Sequence, residues 1–114
     1  MPPSRPRLES FDHGILISLS GELDAYDAPA LRTAFGEAVA ALGERSAVAL
    51  DLAAVSFVDS TVLGTIVGLL KRVRERGAEL RVVLPQTEAR RIFSLTALDR
   101  SLDVRASRED ALLG

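Results

Sequence analysis

The sequence predicts an α/β domain: one mixed, mostly parallel β-sheet with about four helices packed around it. Three observations carry that expectation. Short apolar runs of strand length alternate with longer segments whose apolar residues recur at helical spacing. Gly, Pro, Ser and Asp mark the joints, so the connections are short and no linker interrupts them. Finally, 114 residues, 47% of them apolar, suit a single domain with one core.

Each element has its own reason. The opening "MPPSRPRLES" has Pro and Arg but no apolar stretch. Residues 1–6 are therefore expected as a flexible tail rather than a secretory signal, and residues 7–114 as the domain. Residues 7–11 are expected to form a first hairpin strand, joined through His13-Gly14 to the next. There Ile15, Ile17 and Leu19 alternate with Leu16 and Ser18, and Gly21 is expected to close the strand. In "DAPALRTAFGEAVAALG", Leu31, Phe35, Ala38, Val39 and Leu42 recur at helical spacing. Asp27 is the expected N-cap, Pro29 is tolerated in the first turn, and Gly43 ends the helix.

The run "SAVALDLAAVSF" is nearly all apolar. Val48, Leu50 and Leu52 face one way and Ala47 and Ala49 the other, which predicts a central strand covered on both sides. From Thr61 to Arg76 the spacing predicts a helix with a buried stripe of Leu63, Ile66, Val67, Leu70 and Val73. Lys71, Arg72, Arg74 and Arg76 gather near its C-terminus, where cations suit the helix dipole, and Gly77 follows. "AELRVVLP" reads as another buried strand, with Leu80, Val82 and Leu84 alternating and Pro85 stopping it. "TEARRIFSLTAL" reads as one shorter helix with Ala89, Ile92, Phe93 and Leu98 on one side. "SLDV" is an edge strand, and "SREDALL" a last helix opened by an approximate capping box of Ser107 and Asp110.

Composition removes several function classes. With no cysteine there is no disulfide, thiolate metal site or cysteine nucleophile. The single histidine, His13, is the sole residue through which a Ser-His-Asp triad could be built, and its context is that of a strand end or turn. No acidic cluster has calcium-loop spacing, so neither metal nor cofactor is expected. A net charge of −2 gives no sign of a nucleic-acid partner. No apolar run reaches the roughly 18–20 residues of a membrane span, so membrane insertion is not expected and a cytoplasmic protein is.

Three stretches could carry chemistry. "VDSTVLG" follows the buried strand and opens a helix, the place where open α/β sheets usually meet ligands and partners. A phosphate on Ser60 or Thr61 would sit in the favourable field of the helix N-terminus, although Asp59 opposes it. Equally, Asp59 or Ser60 could serve only as a helix cap. "GELD", Gly21 to Asp24, is either a turn with solvated or capping carboxylates or a pair for acid–base work. "KRVRER", Lys71 to Arg76, lacks the interleaved aromatics of a nucleic-acid patch and reads as a solvated helix face.

Taken together, three ordered stretches resemble the STAS domain family, specifically the bacterial anti-sigma factor antagonists. "SGELDAYDAPALRTAF" resembles the family's Gly-Glu-Leu-Asp turn and first helix; "ALDLAAVSFVDSTVLG" resembles its central strand and Asp-Ser-(Ser/Thr)-Gly-Leu-Gly phosphorylation motif. "RGAELRVVLPQTEARRIFSLTALDRSLDV" resembles the strand, helix and edge strand that follow, so the likeness spans residues 7–113. The resemblance implies a regulatory binding protein, not an enzyme. Unphosphorylated, such a protein occupies an anti-sigma factor that is also a serine kinase, and so releases a sigma factor. The kinase switches it off at the serine after the motif aspartate, here Ser60 (Thr61 is the lesser candidate), and a phosphatase reverses this. The resemblance assigns Asp59, Ser60, Thr61, Leu63 and Gly64, with Gly21, Glu22 and Asp24, to the partner-binding surface. One position departs: many members have Gly where this chain has Val62, a bulkier and stiffer residue expected to alter access to Ser60. Two other readings remain: a STAS scaffold or accessory subunit of a signalling assembly or membrane lipid transporter, and an enzyme using Glu22, Asp24 and Asp59.

Overall fold

The computed structural model describes residues 5–113. Of the expected tail, residues 1–4 lie outside the described residues, while Arg5 and Pro6 precede the first strand. Five strands form one sheet in sequence order: β1 (Arg7–Phe11), β2 (Gly14–Leu23), β3 (Ala47–Val58), β4 (Glu79–Val83) and β5 (Asp103–Arg105). The β1–β2 hairpin is antiparallel and all later pairings are parallel, as the alternation of strands and helices predicts.

Five helices accompany the sheet: α1 (Ala28–Ala41), α2 (Ser60–Glu75), α3 (Arg90–Leu95), α4 (Leu98–Ser101) and α5 (Arg108–Leu112). The expected count of about four differs because the helix expected over "TEARRIFSLTAL" covers only Arg90–Leu95, and a separate helix, Leu98–Ser101, follows it. Ala97 takes the left-handed conformation at φ 59°, and no helix runs through it. The main core joins Ile15, Ile17, Val48 and Leu50 of the sheet to Leu31 and Phe35 of α1, Ile66 and Leu69 of α2, and Phe93 of α3. On the opposite face Leu16, Ala49 and Val83 pack against Ala111 of α5. β3 is thus buried on both sides.

Two polar anchors hold α5 there. Arg81, 4% exposed, donates to the carbonyls of Ala111 and Leu113 at 3.1 and 2.6 Å. Asp51, also buried, accepts from Arg108 Nε at 2.8 Å and from the Ala53 amide at 2.9 Å. A buried carboxylate in an apolar strand needs such partners. Ser107 opens α5 by accepting from the Asp110 amide, but the reciprocal bond of the expected box is displaced: Asp110 accepts from Ala106.

Three expectations near the site need correction. β2 does not close at Gly21. Two register shifts, between Ser18 and Ser20 and between Gly21 and Glu22, carry it on to Leu23, and Gly21 supplies the φ of 76° that the second shift uses. Asp27 makes no side-chain cap to α1. Its carboxylate turns back to accept from the Asp24 amide at 2.9 Å, while Asp24 accepts from the Tyr26 amide at 2.9 Å, closing a short 3₁₀ turn at Ala25–Asp27. Finally, α2 begins at Ser60 rather than Thr61, with Val62 and Leu69 in its buried stripe and Val67 only half-buried.

Candidate functional site

Parallel pairing of β2 with β3 brings two of the sequence-predicted stretches to one edge of the sheet. Glu22 pairs with Phe57 and Leu23 with Val58, so the Gly21–Asp24 turn and the Asp59–Thr61 loop leave the sheet side by side. This is the carboxyl end of the parallel strands, where side chains from successive loops converge. His13 lies in the β1–β2 turn, at the opposite end of β3, and its carbonyl accepts from the amides of Ser46 and Ala47. It cannot reach Ser60, so the triad has no structural basis.

At the junction the roles of the two candidates separate. Asp59 is in extended conformation, φ −99° and ψ 177°, and its Oδ1 accepts from the Val62 amide at 3.0 Å. It is the N-cap of α2. Ser60 is the first helical residue; it is exposed, and its hydroxyl makes no hydrogen bond among the described residues. Thr61 is exposed as well. The helix therefore does not need the Ser60 hydroxyl, which stands beside free N–H groups at the positive end of a helix of 16 residues.

The other predicted residues divide between surface and core. Gly64 is exposed one turn after Ser60, and a methyl group there would meet nothing within 4 Å. Leu63 is 6% exposed and belongs to the main core, so it holds α2 down rather than facing outward. Val62 is fully buried at 0% exposure. Its β-branched side chain is part of the main core rather than of the exposed Ser60 surface. Glu22 and Asp24 are exposed, while Gly21 is half-buried within β2. Of the three carboxylates of the enzymatic alternative, Asp24 and Asp59 each accept from a backbone amide as caps.

Sequence reasoning missed the apolar rim of this surface. Tyr26, 94% exposed, projects from the 3₁₀ turn that touches α2, on the Asp24 side. Phe57 is half-exposed two residues before Asp59 and shares a groove with Ile92 and Leu95 of α3. The signal for Tyr26 was available, as an aromatic between two capping aspartates. Phe57 was hidden because its direction depends on the β2–β3 register. No helix among the described residues is long and apolar enough to cross a membrane.

Comparisons with known proteins agree with this architecture. The family model described as "STAS domain" matches residues 5–111. The anti-sigma-B factor antagonist of Bacillus subtilis is 34% identical over 99 residues, covering 86% of this chain and 87% of its own. That of Listeria monocytogenes is 36% identical over 94 residues, covering 82% and 80%. The crystal structure of an anti-sigma factor antagonist from Mycobacterium paratuberculosis aligns with a TM-score of 0.83 at 32% identity, covering 96% of this chain and 91% of that one.

Proposed function

The chain belongs to the STAS domain family, and from that premise we propose that it is an anti-sigma factor antagonist, as its relatives are named. Its partner is an anti-sigma factor with serine kinase activity. Unphosphorylated, the chain occupies that partner and a sigma factor goes free. Phosphate on Ser60 ends the contact and a phosphatase restores it. The protein binds rather than catalyses, touches no nucleic acid directly, and works in the cytoplasm.

One observation carries this reading: the Ser60 hydroxyl is exposed and unbonded because Asp59 does the capping. A residue that the fold does not use can be modified without refolding the domain. The surface around it suits a protein contact, with exposed Tyr26 and half-exposed Phe57 as aromatic anchors and polar Glu22 and Asp24 beside them. A phosphate adds a charge of roughly −1.5 to −2. An unpaired charge in a desolvated contact costs several kcal/mol. A cost of about 4 kcal/mol weakens binding nearly a thousandfold, which is enough for a switch.

The test is to incubate the chain with its anti-sigma factor and Mg-ATP, then locate the phosphate by tandem mass spectrometry. One phosphate on Ser60 is expected. Modification confined to Thr61, or none by an anti-sigma kinase that binds the chain, overturns the assignment.

A further inference from the structure

A groove of about 210 Å³ runs between α1 and α2, starting at Gly64, one turn after Ser60. Phe35, Thr65 and Leu69 line its depth, and Arg32 and Arg72 stand on its two walls, one on each helix. Both arginines are exposed, and neither enters an ion pair among the described residues. The Arg72 guanidinium leans across toward α1. It lies over Gly36, where a methyl group would sit 3.4 Å from Nη1. Gly36 and Arg32 are four residues apart and therefore neighbours on α1. Two unneutralised cations thus converge on one groove, in a chain whose net charge is −2.

The α2 wall is low. Gly64 and Gly68 follow Ser60 at intervals of four, and a methyl group at either would meet nothing within 4 Å. Glycine weakens a helix relative to alanine, and no packing within this chain requires it at these two positions. What the two positions leave is room for another backbone to approach closely. The row Ser60, Gly64, Gly68, Arg72 spans about 18 Å at 1.5 Å per residue, three turns of helix.

We infer that this groove receives an acidic helix of the same anti-sigma partner, its carboxylates set against Arg32 and Arg72. The inference rests on the function proposed above and extends the contact from the phosphorylated serine along α2. Two guanidiniums select carboxylates by charge and fork geometry. The apolar depth between them suits the other face of an amphipathic helix. The basic run from Lys71 to Arg76 is thereby divided. Arg74 donates to the Ser101 carbonyl, Arg76 donates to the Val39 carbonyl, and Arg72 is left for the partner.

The experiment titrates purified anti-sigma factors of the source organism, one at a time, into wild-type chain and into Arg32→Glu, Arg72→Glu, Gly68→Gln and Ser60→Asp, by calorimetry at two salt concentrations. Each charge reversal should weaken binding about tenfold or more, because like charges then face each other. The loss should shrink at high salt, where exposed charges are screened. Gly68→Gln should weaken binding at both salts by filling the groove, while its melting temperature holds or rises because a better helix former replaces glycine. If Ser60→Asp weakens binding and the three groove variants do not, the groove assignment is wrong and the function stands. If no anti-sigma factor binds the wild-type chain, the function fails and the inference with it. If the groove variants instead change the sedimentation of the chain alone, the groove pairs two copies of this protein and the partner assignment is overturned.

Discussion

Replacing Asp59 and Ser60 one at a time separates what the junction does for the fold from what it does for the partner. Asp59→Ala removes the acceptor that holds the Val62 amide at 3.0 Å, and loss of such a cap costs about 1 kcal/mol, within a range of about 0.5–2. Removing the negative charge from the helix N-terminus adds about 0.3–1 kcal/mol. Unfolding entropy of about 2.1 cal/mol/K per residue gives about 0.24 kcal/mol/K for 114 residues, so each kcal/mol lowers the melting temperature by about 4 °C. Asp59→Ala should therefore melt about 5–8 °C below wild type. Asp59→Asn keeps an acceptor, loses only the charge, and should fall by about half as much. Ser60→Ala removes a hydroxyl that bonds nothing and installs the best helix former, so its midpoint should equal or slightly exceed that of wild type. Thermal melts followed by circular dichroism rank the three variants. A larger loss for Ser60→Ala than for Asp59→Ala would show that Ser60 is the cap, and the separation of folding from switching would collapse.

The remaining predictions address the contact and the core. Ser60→Ala should bind the anti-sigma factor like unphosphorylated wild type, Ser60→Asp should bind more weakly but less so than the phosphoprotein, and Arg74→Glu, whose side chain reaches Ser101, should bind normally; calorimetry at fixed salt compares them. Leu50→Asp places a charge at a position of 0% exposure in the middle strand and should leave no cooperative melt, whereas a wild-type melt would refute the sheet assignment. Arg108→Met leaves the buried Asp51 carboxylate with only the Ala53 amide and should cost about 1–3 kcal/mol in urea titrations, and adding Asp51→Val should recover most of that loss; equal stability of the single variant and wild type would show that the pair does not anchor α5.

How much of this was readable from the sequence depended on how far along the chain each cause lay. Strand β3 and helices α1 and α2 declare themselves within a dozen residues, because the periodicity of burial is a local pattern. So does the junction, where Asp59 and Val62 are three residues apart. Gly21 misled because glycine ends strands and also permits bulges, and only the β3 partner decides which. Ala97 misled because nothing in its neighbours marks an alanine for φ 59°. The tertiary pairings are the least local features. The Glu22–Phe57 pairing, which sets the turn of Asp24 beside Ser60, joins residues 35 positions apart, and Arg108 meets Asp51 across a separation of 57. Even so, three features left a visible trace: an aspartate inside an apolar strand, two glycines on the polar side of a helix, a tyrosine between two caps. Each is a local cost that the element itself does not repay. The structure explains the first within the chain, through Arg108. The other two find no counterpart in this chain: Tyr26 stands almost fully exposed and Gly64 and Gly68 open onto empty space. On the function proposed above, such costs on either side of the free Ser60 hydroxyl are what a partner-facing surface would carry.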